Sequence, residues 1–205
     1  MPGAALRPEL FDGYVELCTR LYAGDTPGAI AVAARMPGTW GEEAGSQGPS
    51  EAYVVARCTE LLKVIGRRIF VAGTKPESAT AIKLANNAVL GCAMVAMAEG
   101  FALVRKYGVQ PQVFQDVMTE GLFAAPAYKV YGQKMVDESY DQVGSPIFVG
   151  LKDANLIAAA ADLARVPMPS HNVYHDRLLG AVAHGDGDRD QAVLAREQAR
   201  ASGLE

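Results

Sequence analysis

Lys83 and Asn87 are the residues of this chain whose types and spacing best suit chemistry on a small molecule. Positions four apart project from the same face of an α-helix, so an ammonium group and a carboxamide can contact one bound molecule together. The segment from Ala88 to Ala98, which follows them, contains no charged residue. Polar residues at the start of an apolar helix can be functional. Alternatively, Lys83 is a solvated lysine and Asn87 an asparagine whose side chain is hydrogen-bonded to the backbone.

One long helix is predicted to position this pair. Pro76 suits the first turn of a helix that continues to Tyr107, where Gly108 is expected to end it. Small residues recur at every fourth position of its central part, at Ala88, Cys92, Ala96 and Gly100. Such a stripe lets a second helix approach closely, which favours packing in a core or at a subunit interface.

Most of the remaining pattern is also helical. Apolar periodicity between proline and glycine punctuation predicts helices at about 111–119, 126–138, 147–164, 170–183 and 189–201. Before the long helix, Arg68 to Val71 reads as a short β-strand that ends at Gly73. The predicted fold class is therefore mainly α, a multi-helix bundle around one long helix with a short residual strand before it.

The beginning of the chain differs in kind. Residues 1–48 form a divergent, weakly patterned segment in which only 8–22 fits a short amphipathic helix, and a strand at 30–36 lacks evident partners. Residues 49–73 are predicted to form a helix followed by the short strand. Residues 74–205 are predicted to form the helical domain.

Composition excludes several classes of function. The 205 residues carry a net charge of -4, with half of them hydrophobic and 20% charged, which argues against nucleic-acid binding. The cysteines Cys18, Cys58 and Cys92 lack metal-like spacing and are expected to be reduced thiols. We find no signal peptide and no apolar run near the ~18 residues of a membrane span, so a cytoplasmic location without membrane contact is expected.

A histidine pair is the one remaining candidate metal site. His171 and His175 lie four apart and fit one face of a helix, as metal ligands often do. The sequence offers no evident third ligand, so we predict structural histidines and no metal.

Four short motifs occur together in one order. They are Arg-Arg-Ile-Phe-Val-Ala-Gly at 67–73, Lys83-x-x-x-Asn87, Lys152-Asp153, and Asp-Arg-Leu-Leu at 176–179 followed by His-Gly-Asp-Gly-Asp at 184–188. With these motifs, the chain from Pro49 onward resembles the C-terminal half of the β-hydroxyacid dehydrogenases, which include the 3-hydroxyisobutyrate and 6-phosphogluconate dehydrogenases. The resemblance covers roughly three quarters of the chain.

The resemblance implies roles for four residues. Lys83 would be the general acid/base in hydride transfer between a short β-hydroxyacid and NAD or NADP, with Asn87 holding the lysine or the substrate oxygen. Lysine suits this task because burial lets its ammonium group lose a proton, whereas arginine stays charged. Lys152 would approach the cofactor or the substrate carboxylate, with Asp153 as its neighbour at a helix start. The long helix implies a homodimer.

The chain also departs from that family. It has no Gly-x-Gly-x-x-Gly motif and so no complete Rossmann sheet, and Ser145 stands where many members have an aromatic residue. Residues 1–48 are interpreted as a divergent replacement or the product of a truncated or frame-shifted gene. Two functions follow: the substrate-side and dimerisation domain of an NAD(P)-dependent dehydrogenase, inactive without a nucleotide-binding domain, or a non-catalytic helical dimerisation module without cofactor binding.

Overall fold

The computed structural model describes residues 76–204 and, before them, residues 59, 62–63, 66 and 68–73. The chain divides into two compact units, residues 1–74 and 75–205. In the first unit the described residues Thr59, Leu62 and Lys63 are helical, within the helix predicted after Pro49. The predicted helix at 8–22 and the predicted strand at 30–36 lie outside the described residues.

The short strand predicted at Arg68 to Val71 is wrong. Residues 68–73 have no regular secondary structure. A strand is stabilised by backbone hydrogen bonds to a second strand, and none of the described residues forms such a ladder. The β-branched and aromatic side chains of this run favour a β-strand. The described residues, however, contain no second strand with which it could pair.

The second unit is helical over its described length, which confirms the predicted fold class. Its α-helices, in chain order, are α1 (Pro76–Lys106), α2 (Pro111–Glu120), α3 (Pro126–Val136), α4 (Ile147–Ala164), α5 (Pro169–Ala183) and α6 (Leu194–Ala201). A 3₁₀ turn, Gln191–Val193, leads into α6.

Proline sets the start of several helices. Pro111, Pro126 and Pro169 are at the beginning of α2, α3 and α5, where the fixed φ of proline suits the helix and its missing N–H has no partner to lose. The final helix begins later than predicted because Asp190 caps the chain there instead. Its carboxylate accepts a hydrogen bond from the backbone N–H of Ala192 at 3.0 Å, which starts the 3₁₀ turn.

Left-handed residues lie at the ends of five of the six helices. Gly108, with φ of 73°, follows α1 as predicted, and Arg165, with φ of 57°, caps α4. Helix α3 ends at Val136, two residues before the predicted end, and Glu138 has a φ of 50°. The positive φ stops the helical repeat at this point.

Helix α1 lies at the centre of the described bundle. It packs against each of the five other helices. Its Met94 and Phe101 are buried in one core with residues from α4, α5 and α6, among them Ile147, Leu178 and Leu194. Gly100, from the small-residue stripe, lets Phe114 of α2 approach, since an added Cβ would lie 2.9 Å from that ring.

The length and hydropathy of α1 correct one sequence expectation. The segment Glu77–Lys106 is long and apolar enough to cross a membrane by those two criteria, with a mean hydropathy of 1.7. A search for uninterrupted apolar runs misses this segment because Lys83 and Glu99 bound its uncharged stretch. In the structure 44% of the most apolar 18-residue part of this segment is buried, and α1 packs against the other helices of the bundle.

Candidate functional site

A small cavity lies between α1, α3, α4, α5 and the 3₁₀ turn. Its volume is about 120 Å³. Polar and apolar side chains from these elements share its wall, together with two glycines. The lining residues are Asn87, Leu90, Gly91, Tyr131, Ser145, Gly150, Asp153, Ile157, Tyr174 and Gln191.

One side of the cavity is formed by a contact between α1 and α4. The Nδ2 of Asn87 donates a hydrogen bond to Oδ2 of Asp153 at 3.1 Å. The other carboxylate oxygen, Oδ1, lies 2.8 Å from the ammonium group of Lys152. The half-buried Asp153 thus joins a carboxamide on α1 to an exposed cation on α4.

Lys83 lies one helical turn before Asn87 on α1. Its side chain is exposed, and it does not line the cavity. The structure therefore brings together three of the four predicted site residues, since Asn87 and Lys152 both contact Asp153, and it places Lys83 one turn from Asn87 on α1. The roles assigned to all four remain predictions.

The opposite side of the cavity is a chain of hydrogen bonds that the sequence did not reveal. The hydroxyl of Tyr174 donates to Oε1 of Gln191 at 2.9 Å, and Nε2 of Gln191 donates to Oγ of Ser145 at 2.8 Å. The backbone N–H of Gln191 also donates to the carbonyl of Ser145 at 3.0 Å. Burial, followed by the charge of Asp153, raises the pKa of Tyr174 well above its ordinary value, so its hydroxyl stays protonated.

Asp190 stabilises this side of the cavity, although it does not line the cavity itself. Its fully buried carboxylate accepts hydrogen bonds from the ammonium of Lys134 at 2.6 Å and from the N–H of Gly144 at 2.7 Å. Burial alone would raise the pKa of Asp190. The hydrogen bonds from Lys134, Ala192 and Gly144, together with the charge of Lys134, outweigh burial and lower it. The network fixes residues 144 and 190, the immediate neighbours of Ser145 and Gln191.

Two glycines allow the wall to close. A Cβ added to Gly91 would lie 2.4 Å from Cε1 of Tyr174, and one added to Gly150 would lie 2.8 Å from the side-chain amide of Gln191. No other residue type leaves space for these side chains. Gly91 thus lets the Tyr174 ring contact the backbone of α1, and Gly150 lets the Gln191 amide contact the backbone of α4.

Gly91→Ala is expected to destabilise the domain by about 1–3 kcal/mol, because the new methyl group overlaps the buried ring of Tyr174. Urea unfolding followed by circular dichroism measures this change. Gly144→Ala is the matched control, since its Cβ would make only an ordinary contact of 3.5 Å with Asp190. Equal stability of the two variants would show that the ring moves away without cost.

The histidine pair does not converge on a shared point. His175 Nε2 lies 2.9 Å from Oδ1 of Asn155, whereas His171 is buried with its ring edge-on to Tyr174. Burial, with the nearby charge of His175, lowers the pKa of His171, so this histidine is neutral in the fold. The described residues contain no group of three or more metal-ligating side chains.

The helical unit matches a known protein family. A family model described as the NAD-binding domain of NADP-dependent 3-hydroxyisobutyrate dehydrogenase matches residues 78–197, more than half of the chain. The chain belongs to the 3-hydroxyisobutyrate dehydrogenase-like family. The resemblance found in the sequence motifs is thereby confirmed, and the matched region contains every residue that lines the cavity.

The relatives of this chain include proteins named as dehydrogenases, reductases and an oxidoreductase. An uncharacterised oxidoreductase of Bacillus subtilis is 31% identical over 73% of this chain and 51% of its own length. The 2-(hydroxymethyl)glutarate dehydrogenase of Eubacterium barkeri is 28% identical over 82% of this chain and 56% of its own. The chain therefore spans about half the length of these relatives.

A solved structure supports the fold. The 3-hydroxyisobutyrate dehydrogenase of Salmonella typhimurium superposes with a TM-score of 0.65 at 22% identity, over 70% of this chain and 50% of that protein. At this identity the likeness concerns the fold of the helical domain.

The donor set at the cavity suits the reactive end of a nicotinamide cofactor and a hydroxyacid. Lys83 lies one turn before Asn87 on α1, and the Lys152 ammonium contacts the Asp153 carboxylate to which Asn87 donates. Ammonium and carboxamide groups bind carboxylates, amides and hydroxyls. Among residues 76–204 no glycine-rich loop of the kind that binds a pyrophosphate precedes a helix. The described polar groups beside the cavity are thus of the kinds that bind the reacting groups of a dinucleotide and a hydroxyacid.

Proposed function

We propose that this chain supplies the substrate-side half of an NAD(P)-dependent hydroxyacid dehydrogenase. The observation that carries the proposal is the contact of Asn87 with Asp153, which joins the Lys83 face of α1 to the Lys152-Asp153 pair beside a cavity. The named activities of the relatives, which include 2-(hydroxymethyl)glutarate dehydrogenase, support the same chemistry.

Lys83 is the proton-transfer group in this proposal. Its Nζ takes the proton of the substrate hydroxyl during oxidation and returns it during reduction, while the nicotinamide, when bound, supplies the hydride chemistry. Asn87 is oriented by its hydrogen bond to Asp153, which leaves its carboxamide oxygen as an acceptor for the substrate or for Lys83. Lys152 attracts the carboxylate of the substrate or the cofactor.

Lys83 is exposed to solvent in the described structure, and solvent exposure is unfavourable for a proton-transfer group. Proton transfer is favoured when water is excluded from the reacting groups, so a second domain is expected to cover Lys83 in the active assembly. A short β-hydroxyacid is the proposed substrate.

The experiment that tests cofactor binding is a titration of the full chain with NADPH, followed by nicotinamide fluorescence. Saturable binding that weakens in Lys152→Ala, and not in the exposed-lysine variant Lys129→Ala, is the expected result. Binding would contradict the non-catalytic alternative, in which the chain is a helical dimerisation module, and absence of binding would leave the proposed enzyme dependent on a separate nucleotide-binding domain.

An exposed apolar face on α1 favours assembly of two copies. Ile82, Val89 and Leu103 are 57%, 70% and 60% exposed and lie seven or fourteen residues apart. Positions seven apart stay on nearly the same side of a helix, so these side chains form a stripe that a second α1 can cover. We propose that the chain forms a homodimer through this stripe.

Val89→Asp is expected to convert the dimer to a monomer, because an unpaired carboxylate inside an apolar interface is strongly unfavourable. Sedimentation velocity measures the change. Val130→Asp is the matched control, an exposed valine on α3, and should leave the dimer intact. A monomeric wild-type protein, or a dimeric Val89→Asp variant, would contradict the proposed interface.

A further inference from the structure

A second groove lies between the end of α4 and the beginning of α5. Its volume is about 500 Å³, within the range of about 300–1,000 Å³ that is usual for small-molecule sites. None of its lining residues lines the cavity beside Asn87. Most of its wall is apolar and is formed by Ala158, Ala161, Val166, Pro167, Met168 and Pro169.

His171 supplies a buried polar group to this wall. The residue is 1% exposed, and neither of its ring nitrogens has a hydrogen-bond partner among the described residues. Because burial and the nearby charge of His175 lower its pKa, the ring is neutral, with one nitrogen that donates and one that accepts. Leaving such a group unpaired is unfavourable, so a ligand that bonds to the ring gains affinity.

The α4 side of the groove is negative. Asp162, in the last turn of α4, is exposed and is the single charged side chain among the described residues that line the groove. The C-terminal end of a helix also carries a partial negative charge. An ammonium group is therefore favoured beside Asp162.

The α5 side of the groove is the beginning of a helix and has the opposite polarity. The N-cap residue, Met168, has no side chain that can cap the helix, and the first helical hydrogen bond runs from the N–H of Asn172 to the carbonyl of Met168. The N–H groups before Asn172 have no acceptor within α5, and a helix N-terminus favours a carboxylate. Residues 165–168 join the two helices, so a negative and a positive helix end are neighbours.

These features describe a ligand with two opposite charges and one neutral polar end. The charged groups face the open side of the groove, where Asp162 and Pro169 are exposed, and the neutral end faces the buried His171. A hydroxyl can pair with either nitrogen of a neutral imidazole, because it both donates and accepts. An aromatic ring suits the apolar wall between the two ends, since it buries a large area and has few bonds to immobilise.

We propose that this groove binds a free amino acid with a hydroxylated aromatic side chain. Its ammonium group pairs with Asp162, its carboxylate lies at the first turn of α5, and its hydroxyl bonds to His171. The site goes beyond the proposed dehydrogenase, because it shares no lining residue with the cavity beside Asn87.

Four ligands that differ by single groups test this inference. L-tyrosine carries all three polar groups, whereas L-phenylalanine lacks the hydroxyl, tyramine lacks the carboxylate, and 3-(4-hydroxyphenyl)propanoate lacks the ammonium. Ligand-observed NMR titration of the full chain gives their dissociation constants. We expect tyrosine to bind roughly tenfold more tightly than each of the others, because each of them leaves one group of the groove unpaired.

A variant of the open side links the binding to this groove. Asp162→Asn should weaken tyrosine and tyramine roughly tenfold and leave 3-(4-hydroxyphenyl)propanoate unchanged, since only the first two carry an ammonium group. The exposed position of Asp162 makes a folding defect unexpected. Asp116→Asn is the matched control, an exposed aspartate on α2 that does not line the groove, and should bind all four ligands as the wild type does.

A variant of the buried side tests the hydroxyl. His171→Phe keeps an aromatic ring without its nitrogens, so tyrosine should lose its advantage over phenylalanine, and circular dichroism checks the fold. Absence of saturable tyrosine binding, or equal binding of the four ligands, would overturn the site. So would tighter binding of tyramine or of 3-(4-hydroxyphenyl)propanoate than of tyrosine, or a tyrosine affinity that Asp162→Asn leaves unchanged.

Discussion

Lys83→Ala is expected to lower kcat for hydroxyacid oxidation by about 10²–10⁴-fold, in an assembly that contains a nucleotide-binding domain, since this is the usual contribution of a positioned general base. The methyl group of alanine cannot accept the substrate proton. The side chain is exposed on α1 and lies outside the buried core, so the helical circular dichroism and the unfolding midpoint should not change. Steady-state kinetics with each variant measure the loss.

Two further lysine variants separate proton transfer from charge. Lys83→Arg keeps the positive charge but cannot release its proton, so its kcat should be as low as that of Lys83→Ala. Lys129→Ala removes an exposed lysine from α3 and should leave kcat unchanged. An active Lys83→Arg variant would assign Lys83 an electrostatic role instead.

Asp190→Ala is expected to destabilise the domain by about 3–5 kcal/mol, because removing one partner of a buried ion pair leaves the other charge uncompensated. The substitution leaves the Lys134 ammonium with the Gln142 carbonyl but without its carboxylate, and it removes the side-chain acceptor of the Gly144 and Ala192 N–H groups. Urea unfolding measures the effect. Asp188→Ala, which removes an exposed aspartate two residues away, is the control and should have little effect. Similar midpoints for the two variants would contradict the anchoring role.

The same residue gives the stability a defined pH dependence. The pKa of Asp190 is lowered in the folded protein from its ordinary value of 3.8, so the unfolded chain takes up its proton first as the pH falls. The stabilisation by Asp190 is therefore complete above that ordinary value and is lost as the pH falls through the lower folded value. Asp190→Ala should lack this part of the acid loss, and an identical acid profile in both proteins would argue against it.

The positions of the helices were largely predictable from local residues. Proline at the first turn and glycine after the last turn defined α1 closely, and α4 has the predicted bounds, 147–164. These signals act over a few residues, so the sequence contains them directly. The family resemblance assigned Asn87, Lys152 and Asp153 to one site, and in the structure Asn87 and Lys152 both contact Asp153, while their roles remain predictions.

The polar wall of the cavity could not be predicted in this way. Tyr174, Gln191 and Ser145 are separated by 17 and 46 positions, and only the packing of α5 and the 3₁₀ turn brings them together. Ser145 was notable only because many family members have an aromatic residue there. A serine leaves space at this position and supplies the hydroxyl that bonds to Gln191.

The exposure of Lys83 could not be predicted from the local sequence pattern. Its neighbours on α1 indicated an apolar, buried helix, and the helix is indeed central to the bundle. The first turns of α1 nevertheless have exposed side chains, including Lys83 and Ile82. A helix longer than the bundle it crosses has ends with fewer neighbours, so composition alone overestimates the burial of its termini.

The proton-transfer role of Lys83 is tested most directly by chemical rescue of Lys83→Ala with added ethylamine, measured as hydroxyacid-dependent formation of reduced nicotinamide. The rate of this variant is expected to rise in proportion to the concentration of free amine, whereas Asn87→Ala should show no such response. A correctly folded Lys83→Ala variant with wild-type activity, or one whose low activity does not respond to amine, would contradict this role of Lys83.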